Sequence, residues 1–388
     1  MVALCWSLYF SFGLTFGTIS PLVTPIQEDL NMTSAQMGLV HGSWHVVYIF
    51  FAPVVGLLVD RLGLRKSLGL GVVIILVSLI TRGLSQNFLQ LFLTVGLFGF
   101  GGPLVSVGSP KLVSVWFEGR ERGIATGIYS TGPASGISLA FATANTVVEP
   151  LTGSWRGISL VYGILVALIA VAWVLFAREP ETRPSGAPLA TRSLALGEFT
   201  SMLRLRNVKV ILVLAMGTFV VHVGNSSWAP AILEEKGMTL DEGGLWAALA
   251  TALGLIGLLA IPGLVKRGRR VPITALQLVI CAGTATSMVF LSGAGAIASL
   301  MFLTFAAQPM LPMCSLLLME TPGVGAAKMG VAAGLFFASA EVGGFFGPYV
   351  MGELRDSYSS LGPGFLMVAA VAALLAPIVL LVKESRET

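Results

Sequence analysis

The chain has 388 residues, of which 55% are hydrophobic and only 11% charged, with a formal net charge of +4. Soluble domains carry about 25% charged residues, so this composition excludes an ordinary soluble enzyme or binding module. The basic excess does not mark a nucleic-acid protein either, because it sits in short links between apolar segments.

A bilayer core takes roughly 20 apolar residues per helix. Segments at about 3–25, 36–59, 67–83, 88–116, 123–148, 157–177, 208–231, 243–264, 271–291, 295–319, 328–351 and 362–382 meet that length, which predicts an all-α membrane protein with 12 transmembrane helices. The first segment lacks a basic leader and a cleavage site, so it reads as a span and not a signal peptide. It carries Tyr9, Thr15 and Thr18 as polar candidates for a solute cavity. Helix 2 holds His41 and His45 four residues apart, hence on one face, with Trp44 and Tyr48 extending it. Histidine can relay a proton or bind a solute, and its structural alternative is hydrogen bonding between helices. The link after helix 2 reads Gly56-Leu57-Leu58-Val59-Asp60-Arg61-Leu62-Gly63-Leu64-Arg65-Lys66. Asp60 suits a helix end or a basic partner, and Gly63 permits the turn. Helix 4 carries Lys111 about two turns from its end, where a lysine either snorkels or faces inward toward an anion or Glu341. The next link is Trp116-Phe117-Glu118-Gly119-Arg120-Glu121-Arg122-Gly123, and Tyr129 follows on helix 5.

The longest break runs from Arg178 to Asn207. It opens with Pro180, Pro184 and Pro188 and closes with Leu196, Phe199, Met202 and Leu203 on one helical face. That pattern reads as a cytoplasmic linker, 178–207, ending in a short helix on the membrane surface, between six-helix bundles at 1–177 and 208–388. In the second bundle His222 lies mid-helix with Asn225 beside it, Gln308 sits on helix 10, and Glu341 lies near the middle of helix 11. Trp228 ends helix 7, as a cavity residue or an interfacial anchor. An ionisable group at a helix centre costs about 2.5–3.5 kcal/mol on insertion scales, so these residues are the strongest functional markers. Glu341 is the candidate proton coupler, with His222 and His45 as relays or substrate ligands. Cys5, Cys281 and Cys314 fall in apolar segments without a pairing pattern and read as packing residues.

The two halves repeat. Met32-Thr33 and Met238-Thr239 both precede an even-numbered helix, about 206 residues apart. Gly123-Ile124-Ala125-Thr126-Gly127 and Gly330-Val331-Ala332-Ala333-Gly334 both open an odd-numbered one. Such a duplication places a solute site between the halves near the midplane. Basic residues set the orientation: Arg61, Arg65, Lys66, Arg120, Arg122, Lys266, Arg267, Arg269 and Arg270 share one side, whereas Arg82, Arg156, Lys236 and Arg355 fall on the other. The positive-inside rule then puts both termini in the cytoplasm.

The link after helix 2 resembles the signature G-x-x-x-D-R-x-G-x-R-[RK] of the major facilitator superfamily. The link after helix 4 resembles its W-F-x-x-x-x-R-G-x-A-x-G pattern, and Trp155-Arg156 resembles its usual start of helix six. This resemblance implies two pseudo-symmetric six-helix bundles, with helices 1, 4, 7 and 10 lining a central cavity. It also implies a gating role for Asp60, Arg61, Arg65, Arg120 and Arg122. Gly127, Gly132, Pro133 and Gly136 partly resemble the helix 5 pattern of drug/proton antiporters, with close helix packing as the structural alternative. The acidic-glycine-tryptophan opening of monocarboxylate carriers is absent from helix 1.

The expectation is therefore a secondary active transporter of a small organic solute, a carboxylate being one class, coupled to protons and working by alternating access. Efflux of lipophilic compounds and a transporter-like receptor or lipid scramblase remain alternatives. The substrate candidates are Tyr9, Thr15, Thr18, His45, Lys111, Tyr129, His222, Asn225 and Gln308. No phosphate-binding loop, catalytic carboxylate pair or metal-ligand cluster appears, so neither enzyme activity nor a cofactor is expected. A monomer in the lipid bilayer of a bacterial or archaeal inner membrane, without a nucleic-acid partner, completes the reading.

Overall fold

The structure, a computed structural model, describes residues 1–178 and 196–384, and among these it contains helices and turns but no strand. The proline-rich stretch expected as a linker lies outside the described residues, as does the side chain of Asp60. The principal helices are α1 (Val2–Leu30), α2 (Ser34–Leu62), α3 (Leu64–Gly83), α4 (Phe88–Trp116), α5 (119–143, broken at Thr131) and α6 (Trp155–Phe176). After a short helix at Leu196–Arg204 come α7 (Arg206–Glu235), α8 (Leu240–Leu264), α9 (Arg270–Phe290), α10 (Ala294–Met319), α11 (Gly325–Tyr358) and α12 (Gly362–Val379). Ten described helices are individually long and apolar enough to cross a membrane. Adding α2 and the broken α5 gives the twelve expected from the sequence, a number that fits the fold.

Prolines mark three interruptions inside the expected spans. α1 runs on to Leu30 through a 3-10 turn at Ser20–Leu22, where Pro21 contributes no N–H. α5 breaks just ahead of Pro133, and α10 breaks at Pro309. The repeated Met-Thr pairs turn out to be helix starts. Thr33 and Gln36 form a reciprocal cap on α2, and Thr239 and Glu242 do the same on α8.

Two seams join the bundles. α2 packs on α11, and the second half of α5 packs on α8. The contacts concentrate toward one end of the molecule, here the sealed end. A Cβ on Gly38 would stand 2.4 Å from the Pro348 carbonyl oxygen, and one on Gly352 2.2 Å from that of Ser34. Only glycine allows backbones this close. Polar links reinforce the sealed end. Asp356 of α11 accepts from the backbone N–H of Ser34 (2.8 Å) and Ala35 (2.7 Å) at the start of α2. Thr24 donates to Glu234 at 2.8 Å, and Arg355 bonds both Glu235 (2.9 Å) and Gln27 (3.2 Å). On the second seam Ser138 donates to the Ala248 carbonyl at 3.3 Å. Toward the opposite, open end the same helices lose cover. Phe50, Val54, Ile124, Ile128 and Phe337 are exposed, and no atom lies within 4 Å of a Cβ placed on Gly123, Gly127, Gly330 or Gly334.

Candidate functional site

His45 and Glu341 meet where the α2–α11 seam gives way to the open end. His45 Nδ1 and a Glu341 carboxylate oxygen share a hydrogen bond across the two bundles, and both residues are buried, at 0% and 4% exposure. Gly344, one turn along α11, makes the room: a Cβ there would stand 2.5 Å from the imidazole. The Trp44 ring lies 3.9 Å from that of His45, centroid to centroid, while His45 Nε2 has no partner. Two charged-capable groups removed from water cost several kcal/mol unless paired, so each residue accounts for the other's burial. The sequence marks both residues but not the pairing, which spans 296 positions. The considered pairing of Glu341 with Lys111 gives way to this bond; Lys111 is partly exposed on α4.

Next to this bond lies a polar cleft between the bundles. His222, Asn225 and Ser226 of α7, Thr251 of α8 and Thr304 and Gln308 of α10 face Ile137 and Phe141 of α5. Asn225 donates to the Thr304 hydroxyl at 3.1 Å. The Asn225 and Gln308 side-chain carbonyls and His222 Nδ1 are buried without partners. Such groups cost free energy until something bonds them, which marks the cleft as a place for hydroxyl or N–H groups of a solute. Its free space, about 20 Å³, admits roughly one water, so a larger solute requires the bundles to part.

Three sequence-derived candidates, His222, Asn225 and Gln308, thus share one cleft. Tyr9 and Tyr129 form a second group, edge to face at 5.4 Å. Tyr9 donates to the Ser106 carbonyl (3.1 Å), and the Tyr48 and Ser106 hydroxyls bond each other (3.1 Å). Thr15 and Lys111 do not line the His222 cleft, so the expected common space of Thr15, Lys111 and His222 is not formed. Thr18 spends its hydroxyl on the Leu14 carbonyl of its own helix. Of the gating candidates, Arg65 bonds the Val174 carbonyl at 2.8 Å, and Arg122 bonds those of Phe117 and Ser114 at 3.0 and 2.9 Å. These contacts tie helix ends within the first bundle, while Arg61 and Arg120 are exposed.

Of the two readings of Trp228 the interfacial anchor drops out, because the residue is fully buried and donates to the Pro348 carbonyl at 3.1 Å. Arg82 does not face the aqueous surface but turns into the first bundle, at 2% exposure. Reasoning also missed Asp356. A signal existed there, since an acid in the last turn of α11 opposes its own helix dipole and suits the start of another helix.

A model of the Major Facilitator Superfamily matches residues 5–348. The Hexuronate transporter of Bacillus subtilis (strain 168) is 24% identical over 368 residues, covering 89% of this chain and 85% of that protein. Among solved structures, an inward-facing and occupied bacterial homolog of the human lysosomal transporter Spinster superposes with a TM-score of 0.81 at 15% identity, covering 98% and 96% of the two chains. A D-xylose-proton symporter superposes with a TM-score of 0.79 at 16% identity, covering 98% and 97%.

Proposed function

This chain belongs to the Major Facilitator Superfamily, and from that premise we propose that it carries a small sugar acid across the membrane by proton-coupled alternating access. It is an integral membrane transporter of a small solute and not an enzyme. The observation that carries the substrate class is the similarity, over 89% of this chain, to a protein named for hexuronates. The cleft suits that class, because its unpartnered Asn225, Gln308 and His222 groups match a ring of hydroxyls. Lys111 lies outside this cleft here and is the proposed partner of the carboxylate once the bundles have moved.

The His45–Glu341 bond supplies the proposed coupling. For the sealed end to open, α2 and α11 must separate and this bond must break. Glu341, released from His45 at that step, is the proposed carrier of the transported proton. The distribution of basic residues supports a cytoplasmic open end and cytoplasmic termini, and on that reading the cycle is a symport. The same reading keeps the division into 1–177, 178–207 and 208–388, an inner-membrane location and a monomer.

Glu341→Gln preserves shape but cannot ionise. In proteoliposomes it is expected to retain hexuronate counterflow while losing accumulation driven by an imposed pH gradient. Normal pH-driven accumulation removes Glu341 from coupling. Absence of counterflow in the parent for hexuronates, with counterflow of a lipophilic cation instead, overturns the substrate class.

A further inference from the structure

Arg82 is a buried cation that pairs with no carboxylate among the described residues. Its Nη1 donates to the Thr15 carbonyl at 2.7 Å and its Nη2 to the Ser78 hydroxyl at 3.2 Å, both neutral acceptors. The guanidinium lies 5.6 Å from the Phe98 ring centroid. Arginine stays protonated in proteins, so burial does not relieve the charge. The carbonyl end of α3 offsets part of it. The remainder calls for a counter-charge, because buried charges are paired.

The surroundings of Arg82 supply a place for one. A cavity enclosed by α1, α2, α3 and α4 is lined by Arg82, His41, Trp44, Phe16 and Phe98. Three nitrogens of its lining residues have no hydrogen-bond partner: Arg82 Nε, Trp44 Nε1 and His41 Nε2. The first two can only donate. The free space is about 10 Å³, room for roughly one water-sized occupant. A water could accept from the donors but would leave the charge uncompensated.

We propose that this cavity binds one small monovalent anion, of the size of a halide or a single carboxylate group, held by Arg82 and Trp44 with His41 beside them. The site lies inside the first bundle and shares no residue with the His222 cleft, so it stands whether or not the cargo is a sugar acid. An anion there ties α3 to the segment of α2 that packs on α11.

The test uses the purified full chain in a bulky sulfonate buffer at constant ionic strength, titrated with chloride or with formate while thermal unfolding is followed. The expected result is a saturable rise in Tm. Arg82→Gln is expected to raise the half-saturating concentration at least about tenfold, the loss of one charge-assisted bond. Should Arg82→Gln not fold, Trp44→Phe keeps the ring and removes only the N–H, and it is expected to weaken the anion effect several-fold. Saturation by chloride alone supports a free halide. Saturation by formate as well as chloride supports a site that also admits a single free carboxylate group. A Tm insensitive to either anion, or half-saturation unchanged in the variants, means water fills the cavity and overturns the proposal.

Discussion

Asp356→Asn is expected to loosen the sealed end without touching the polar cleft. The Asp356 carboxylate spends both oxygens on the first-turn N–H groups of α2, at 2.8 and 2.7 Å. Hydrogen bonds to a charged group contribute about 1.5–3 kcal/mol each, and the charge at a helix start adds about 0.3–1 kcal/mol. Asparagine keeps one oxygen and loses the charge, and Asp356 is exposed, so solvent screening reduces the loss to roughly 1–2 kcal/mol. These bonds exist only while α2 and α11 are together. The whole loss therefore falls on the sealed state, a shift of about five- to thirtyfold toward opening at this end. Spin labels at Ile128→Cys on α5 and Phe337→Cys on α11, both 43% exposed in the parent, report the gap at the open end. The native cysteines Cys5, Cys281 and Cys314 are buried and leave a low labelling background. Asp356→Asn is expected to enlarge the short-distance population. Identical distance distributions in parent and variant refute the reasoning.

Gly38→Val forces a branched side chain toward the Pro348 carbonyl, which already lies 2.4 Å from a Cβ position. The variant is expected to fold and insert but to lose transport, with the same labels showing depletion of the sealed state; normal uptake contradicts the tight seam. Asn225→Ala removes one cleft amide and is expected to weaken hexuronate binding about three- to tenfold in a calorimetric titration, as befits a net hydrogen bond of roughly 0.5–1.5 kcal/mol. Lys111→Ala is expected to cost about tenfold to hundredfold in affinity for a carboxylate and nothing for a neutral analogue. Equal affinity for the sugar acid in parent and variant removes the carboxylate contact from Lys111.

Hydropathy made the spans legible, because a bilayer demands length and apolar composition from each helix separately. The Met-Thr repeat was legible as duplication, although its role as a pair of capping boxes needed the geometry. Pairing was not legible. A membrane helix is apolar on every face, so its sequence carries little information about which side turns toward a neighbour. That is why Arg82, close to the end of α3, read as a surface residue when it in fact folds back onto Thr15. It is also why Glu341 stood out as a buried acid while His45, in the other bundle, could not be matched to it.

The hold on the start of α2 has a mechanical consequence. Asp356 bonds its first-turn N–H groups, and Gly38 and Gly352 keep it close to α11 there. With 29 residues, α2 is a lever about 43 Å long at 1.5 Å per residue. A tilt of about 10° about its fastened end swings the far end by about 7 Å while moving residues near the fulcrum by a small fraction of that. A gap wide enough for a sugar can thus open and shut at one face of the membrane while the glycine contacts at the other stay within van der Waals reach.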